Sequence, residues 1–229
     1  MNTVGGALAH ARTLGVDRLD AQLLLSHVLG QSRTWLLAND DACLGTGQQQ
    51  VLGGLLARRS SGEPLAYLVG EKEFHGLVLR VSPAVLVPRP DTETLVNWAL
   101  EVVNTSSTVL DMGTGSGAIA LALKHARPQA QITAIDASAE ALAVARSNGQ
   151  RLQLDVRWIL SDWWQGLAGQ RFDVIVSNPP YIAGDDTHLA ALQHEPRLAL
   201  TPGGDGLDSL RLIIGRAAQH MNTGGWLLL

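Results

Sequence analysis

The chain has 229 residues, a formal net charge of -4 and a sequence pI near 5.9, with 46% hydrophobic and 17% charged residues. Such a chain can bury a sizeable core, as one large domain or one domain plus a smaller one, and it lacks the overall basic footprint of a nucleic-acid binder. The single Cys43 excludes an internal disulfide framework, no stretch approaches the roughly 20 apolar residues of a membrane span, and Met1–Gly15 has no apolar core of a signal peptide, so the expected location is the cytoplasm.

Residues 1–69 read as helical. Leu8, Leu14, Leu19 and Leu23–Leu25 fall in helix-like groups, Asp17 fits an N-cap and Gly30 a stop. Thr46-Gly47-Gln48-Gln49 fits a capping box ahead of Val51, Leu52, Leu55 and Leu56. Pro64 suits the first turn of another short helix. The lone His10 and His27 fit surface or capping roles better than metal ligation, and a helical domain without its own chemistry reads as a docking module.

Residues 70–89 form a connector, in which Phe74-His75-Gly76 and Leu77–Val81 predict a hairpin and Pro83, Pro88 and Pro90 punctuate the path. Residues 90–229 then turn α/β. Val87–Glu93 opens a helix whose body is Thr94–Val103, a strand runs through Thr108–Leu110, and a glycine loop through Asp111-Met112-Gly113-Thr114-Gly115-Ser116-Gly117. Helix Ala118–Ala126, strand Gln131–Ile135, helix Ser138–Ser147 and strand Val156–Leu160 follow, then strand Val174–Val176, a helix capped by Asp208 and a last strand from Gly224. Strands alternating with helices predict a mostly parallel sheet covered on both faces.

Two stretches carry chemistry. Gly113, Gly115 and Ala118 satisfy the dinucleotide fingerprint, with Asp136 at the spacing expected for ribose hydroxyls, so a nicotinamide cofactor is one reading. The other is Asn178-Pro179-Pro180-Tyr181, directly after an apolar strand. Neither proline carries an N–H, so the chain leaves the sheet there in a stiff, extended form. The Asn178 side-chain oxygen and the Pro179 carbonyl are then two acceptors for the two hydrogens of a planar –NH2 group, and the Tyr181 ring can lie against that flat group.

Asn178–Tyr181 resembles the motif of methyltransferases that act on planar nitrogens, either the glutamine side chain of peptide chain release factors or the adenine N6 of nucleic acid. Asp111 ahead of Gly-x-Gly-x-Gly resembles the S-adenosylmethionine loop of class I methyltransferases, a Rossmann-like fold. The resemblance implies that Asp111, Gly113, Thr114, Gly115, Ser116, Gly117, Asp136, Asp162, Trp163 and Asn178 meet the cofactor; Asp111 would serve its cationic groups directly or through water, and Asp162 and Trp163 its adenine. Trp163 and Trp164 fit ordinary packing equally well.

The helical N-terminal region, Pro88-Arg89-Pro90-Asp91-Thr92-Glu93 and Gly203-Gly204-Asp205-Gly206 resemble the release-factor glutamine methyltransferases in particular. That resemblance implies catalysis and substrate binding by Asn178, Pro179, Pro180 and Tyr181, with Arg89 and Glu93 helping to position substrate or cofactor. The implied partner is a class I peptide chain release factor, with no metal and no membrane. The family continues through an antiparallel strand pair after the last strand seen here, so the fold is expected to be incomplete at its C-terminus. An adenine-N6 methyltransferase, a non-catalytic cofactor- or release-factor-binding protein and a dehydrogenase stand as alternatives.

Overall fold

The computed structural model describes residues 2–229. Contacts divide the chain between Gly70 and Glu71. The first unit holds α1 (Val4–Thr13), α2 (Arg18–Leu29), α3 (Arg33–Ala38), α4 (Thr46–Ser60) and α5 (Leu65–Val69). They close over a core of Val4, Leu24, Leu25, Leu36, Leu52 and Leu56. Asp17 caps α2 by accepting from the Leu19 N–H at 2.7 Å, and Gly30 ends it. At α4 the cap lies one residue earlier than the Thr46 reading. Gly45 is the N-cap, and the Gln48 side chain accepts its N–H at 2.9 Å. A glycine has no side chain to answer, so only this half of a capping box forms.

The second unit opens with an antiparallel hairpin, β1 (Glu71–Phe74) and β2 (Leu77–Arg80). His75 and Gly76 are its turn, with φ of 49° and 77°, the two positive values that match the twist of a two-residue hairpin. The helix after the connector, α6 (Pro90–Val102), opens within the Val87–Glu93 stretch, where proline suits a first helical turn. Then come β3 (Thr108–Met112), α7 (Ala118–Ala126), β4 (Gln131–Asp136), α8 (Ala139–Leu152), β5 (Arg157–Leu160), β6 (Phe172–Ser177), α9 (Asp208–Ala217) and β7 (Met221–Leu228). Asp208 is the first residue of α9 rather than its cap. The last strand starts at Met221, ahead of the predicted Gly224.

The sheet is parallel, in the order β5-β4-β3-β6-β7. Side chains alternate between its faces. Val109, Ile132, Ala134, Val174 and Val176 share a core with α6 and α7, whereas Leu110, Met112, Ile135 and Ile175 pack with Trp164, Leu167 and Ile213 of α9. Chain order runs outward from β3 to β5, then restarts at β6 on the other side of β3. That reversal is the switch point at which open α/β sheets bind ligands. The β3–β6 register pairs Met112 with Ser177, so the glycine loop and the Asn-Pro-Pro-Tyr segment leave neighbouring strands at one level.

Fully buried Asn148 of α8 joins three pieces of this unit. Its side-chain oxygen accepts the Arg80 N–H at 2.7 Å, and its Nδ2 donates to the carbonyls of Arg80 (3.0 Å) and Ser116 (2.9 Å). Asn148→Ala strands these groups, and each unsatisfied buried group costs about 1–3 kcal/mol. A loss of about 3 kcal/mol is expected by urea denaturation, with the slope unchanged.

Candidate active site

The glycine loop is built on two carboxylates. Asp111, near the end of β3, is fully buried, and its Oδ2 accepts from the Thr114 hydroxyl at 2.6 Å and from the Ala120 N–H at 3.1 Å. Asp136, at the end of β4, accepts from the Gly115 N–H (2.8 Å) through Oδ2 and from the Ser138 N–H (2.9 Å) through Oδ1. The two carboxylates thus hold the loop between the first turns of α7 and α8. Gly117 caps α7 with φ of +84°, and a Cβ there would meet Leu121, Trp158 and Ala145 at 3.0–3.3 Å. Its role is close packing.

Burial pushes the Asp111 carboxyl up to about 7, against the Thr114 and Ala120 hydrogen bonds that favour the ionised form; the charge of Asp136 adds to the rise. Burial also raises Asp136, less strongly, because three backbone N–H groups oppose it. The second oxygen of Asp111, Oδ1, is buried with no hydrogen-bond partner among the described residues.

A cavity of about 800 Å³ opens over the loop. Gly113, Thr114, Gly115 and Ser116 line it, as do Asp136, Asp162, Trp163 and Asn178. Trp163 has φ of +49°, a conformation that costs a bulky residue energy and that the surroundings must enforce. Ser161 enforces it: its hydroxyl donates to the Trp163 carbonyl and accepts from the Gly166 N–H, both at 2.9 Å. Trp164 turns away into the core, stacked on His220 with ring centroids 4.6 Å apart, and its Nε1 donates to the Leu212 carbonyl. Trp163 thus lines the cavity while also packing on the core that buries Trp164.

A second cavity, of about 360 Å³, is also lined by Asn178. Pro179, Tyr181, Trp98 and Leu95 line it, and Tyr181 remains 62% exposed. Arg89, Thr92, Asn178 and Pro180 line both cavities, so the two meet there. Among the described residues neither Asn178 Oδ1 nor the Pro179 carbonyl oxygen accepts a hydrogen bond; Asn178 Nδ2 donates to the Thr92 hydroxyl at 3.1 Å.

The walls of this junction come from distant segments. Buried Glu195 pairs with the Arg89 guanidinium and accepts the Val87 N–H at 3.0 Å. Gly206 lies against the motif itself, where a Cβ would sit 2.5 Å from the Tyr181 carbonyl oxygen. Only a glycine admits that approach, which its φ of +83° also favours.

Three residues expected to meet ligands line neither cavity: Asp111, Gly117 and Glu93. Asp111 and Gly117 lie beneath the loop and shape it. Glu93 points to the hairpin, where its Oε1 accepts the His75 N–H at 3.0 Å. Conversely, Thr92 and Glu195 do belong to the junction. Reading Pro88–Glu93 by its charged groups passes over the hydroxyl between them, and nothing local ties Glu195 to Arg89, 106 residues away.

Residues 91–214 match the model of the methyltransferase small domain, and residues 6–70 match that of the PrmC N-terminal domain. The second unit is thus a methyltransferase domain, which sets aside the dehydrogenase reading of its glycine loop. Among known proteins, the release factor glutamine methyltransferase of Bordetella pertussis is 50% identical over 92% of this chain and 80% of its own length. Those of Salmonella typhimurium and Escherichia coli are 48% and 45% identical, over 97% of this chain and 82% of theirs. The chain belongs to the release factor glutamine methyltransferase family. In fold, a methyltransferase from Pyrococcus furiosus superposes with a TM-score of 0.50 and 24% identity, covering 67% of this chain and 70% of that one. No described helix is long and apolar enough to cross a membrane.

The raised Asp111 carboxyl makes stability pH-dependent. Between about pH 4, where a free Asp ionises, and about pH 7 the folded state holds a proton that the unfolded state has lost. Stability therefore falls as pH rises through that window, by at most about 1.4 kcal/mol per pH unit from this group. In Asp111→Asn this contribution is absent. The stability difference, wild type minus variant, is expected to decline from pH 4 to 7 and level off above, as read by denaturant melts at each pH; a flat difference contradicts the assignment.

Proposed function

We propose that this protein transfers a methyl group from S-adenosylmethionine to the side-chain amide nitrogen of the glutamine in the Gly-Gly-Gln segment of class I peptide chain release factors, in the cytoplasm. One observation carries the reading: two cavities meet at Asn178, where an amide oxygen and a proline carbonyl stand with unused acceptor capacity. Family membership supports the substrate, since relatives 45–50% identical bear that name.

The larger cavity suits the methyl donor. Gly113 and Gly115 of the loop line it, and Asp136 keeps lone-pair capacity for ribose hydroxyls beyond the backbone N–H groups it already accepts. Asp162 and Trp163 line the same cavity and would take the adenine. Beneath the loop, Asp111 in its ionised form, present above its raised pKa, would add negative potential that suits a cationic ligand. When bound, the donor supplies a sulfonium methyl: the amide lone pair forms the N–C bond as the C–S bond breaks, and sulfur keeps the electron pair.

The chain's own residues must overcome the weakness of an amide nucleophile, whose lone pair is delocalised into its carbonyl. Asn178 Oδ1 and the Pro179 carbonyl would accept the two amide hydrogens, hold the nitrogen and favour a tetrahedral shape. Tyr181 would lie on the amide plane, and the apolar walls formed by Leu95 and Trp98 suit the glutamine methylenes. Arg89, fixed by Glu195, stands between the two ligands. Preorganised acceptors and proximity are the sources of acceleration. The product nitrogen then loses its extra proton.

Labelled methyl from S-adenosylmethionine is expected on a purified release factor and absent when Gly-Gly-Gln is changed to Gly-Gly-Ala. Asn178→Ala should lower kcat by about a hundredfold or more, by analogy with loss of one oriented polar group at a reacting centre. Cofactor affinity should survive within about tenfold, since the other lining residues remain. Label on the altered loop, or wild-type turnover by Asn178→Ala, contradicts the reading.

A further inference from the structure

The acceptor clamp depends on which way the Asn178 amide faces. Its oxygen must point at the substrate nitrogen. Rotated by half a turn, it would present an –NH2 to another –NH2, and the pair of acceptors would be lost. Nothing in the Asn-Pro-Pro-Tyr segment itself chooses between the two orientations, because an Asn χ2 torsion is broad and nearly two-fold.

The contact that holds the orientation seen here comes from α6, 86 residues away in sequence. Asn178 Nδ2 donates to the Thr92 hydroxyl oxygen at 3.1 Å, and both residues line both cavities. With Nδ2 engaged, Oδ1 is the side-chain atom left for a ligand. The Thr92 hydroxyl is itself well placed. It stands in the first turn of α6, with its N–H on the Arg89 carbonyl at 3.1 Å. Its neighbours on either side are tied down, Arg89 to Glu195 and Glu93 to the backbone of His75. As a β-branched residue in a helix, Thr92 also has few side-chain rotamers to choose from.

We propose that Thr92 is a positioning residue, whose hydroxyl holds the Asn178 amide by its nitrogen and so leaves Oδ1 open to the methyl acceptor. The proposal rests on the glutamine-methylation reading above. It adds that the specificity for an –NH2 acceptor is set from outside the motif that binds it.

Thr92→Val keeps the shape and removes the hydroxyl, and Thr92→Ser restores it. In the methyl-transfer assay Thr92→Val should lose about tenfold in kcat, the effect of one hydrogen bond. KM for the release factor and the cofactor Kd should stay within about twofold, and Thr92→Ser should recover to within about threefold of wild type. Wild-type turnover by Thr92→Val overturns the proposal, as does an equal loss in both variants. A second measurement needs no turnover. The Asn178 side-chain amide resonances, identified by their disappearance in Asn178→Ala, should shift and exchange faster with solvent in Thr92→Val but not in Thr92→Ser. Resonances unmoved by Thr92→Val overturn the proposal even if wild-type enzyme methylates no release factor, an outcome that would count against the substrate reading alone.

Discussion

Parallel pairing of β3 with β6, with Met112 level with Ser177, is the constraint on which the site depends. The Ser177 hydroxyl reinforces it by donating to the Met112 carbonyl at 2.7 Å. Both strands are buried on both faces, so a slip in register would exchange the two cores and is strongly disfavoured. From this level the glycine loop leaves one strand and Asn178 the other. The two cavities therefore meet where these segments lie side by side.

Around that junction the chain spends its buried polar groups on loops rather than on ligands. Asp111 holds Thr114 and the start of α7, Asn148 holds Ser116 and the hairpin strand, and Glu195 holds Arg89 and Val87. Each fixes backbone that has no ladder of its own. The same logic explains the glycines that line no cavity: Gly117 lets α7 pack closely, and Gly206 lets a later loop rest on Tyr181. Among the described residues, acceptors left open include Asn178 Oδ1 and the Pro179 carbonyl at the junction and Asp111 Oδ1 beneath the loop. An enzyme for a poor nucleophile needs that economy, since acceptors already occupied by the protein would have to be released before they could bind substrate.

Much of this was legible in the sequence because it is local. Two prolines after an apolar run end a strand wherever they occur, and Gly-x-Gly-x-Gly after a strand opens a tight turn onto a helix. The alternation of strand and helix determined a parallel sheet, and the order of the two motifs along the chain, with the resemblance they carry, determined the class of chemistry. Tertiary structure alone decided which residues meet. It put Asp111 below the loop, turned Glu93 to the hairpin, placed Trp163 at the cavity and Trp164 in the core, and joined Thr92 to Asn178 and Arg89 to Glu195. Those pairings span tens of residues and follow from strand order and helix direction. Spacing along the chain encodes which backbone shapes are allowed; which side chains then face one another is settled only when the sheet is assembled.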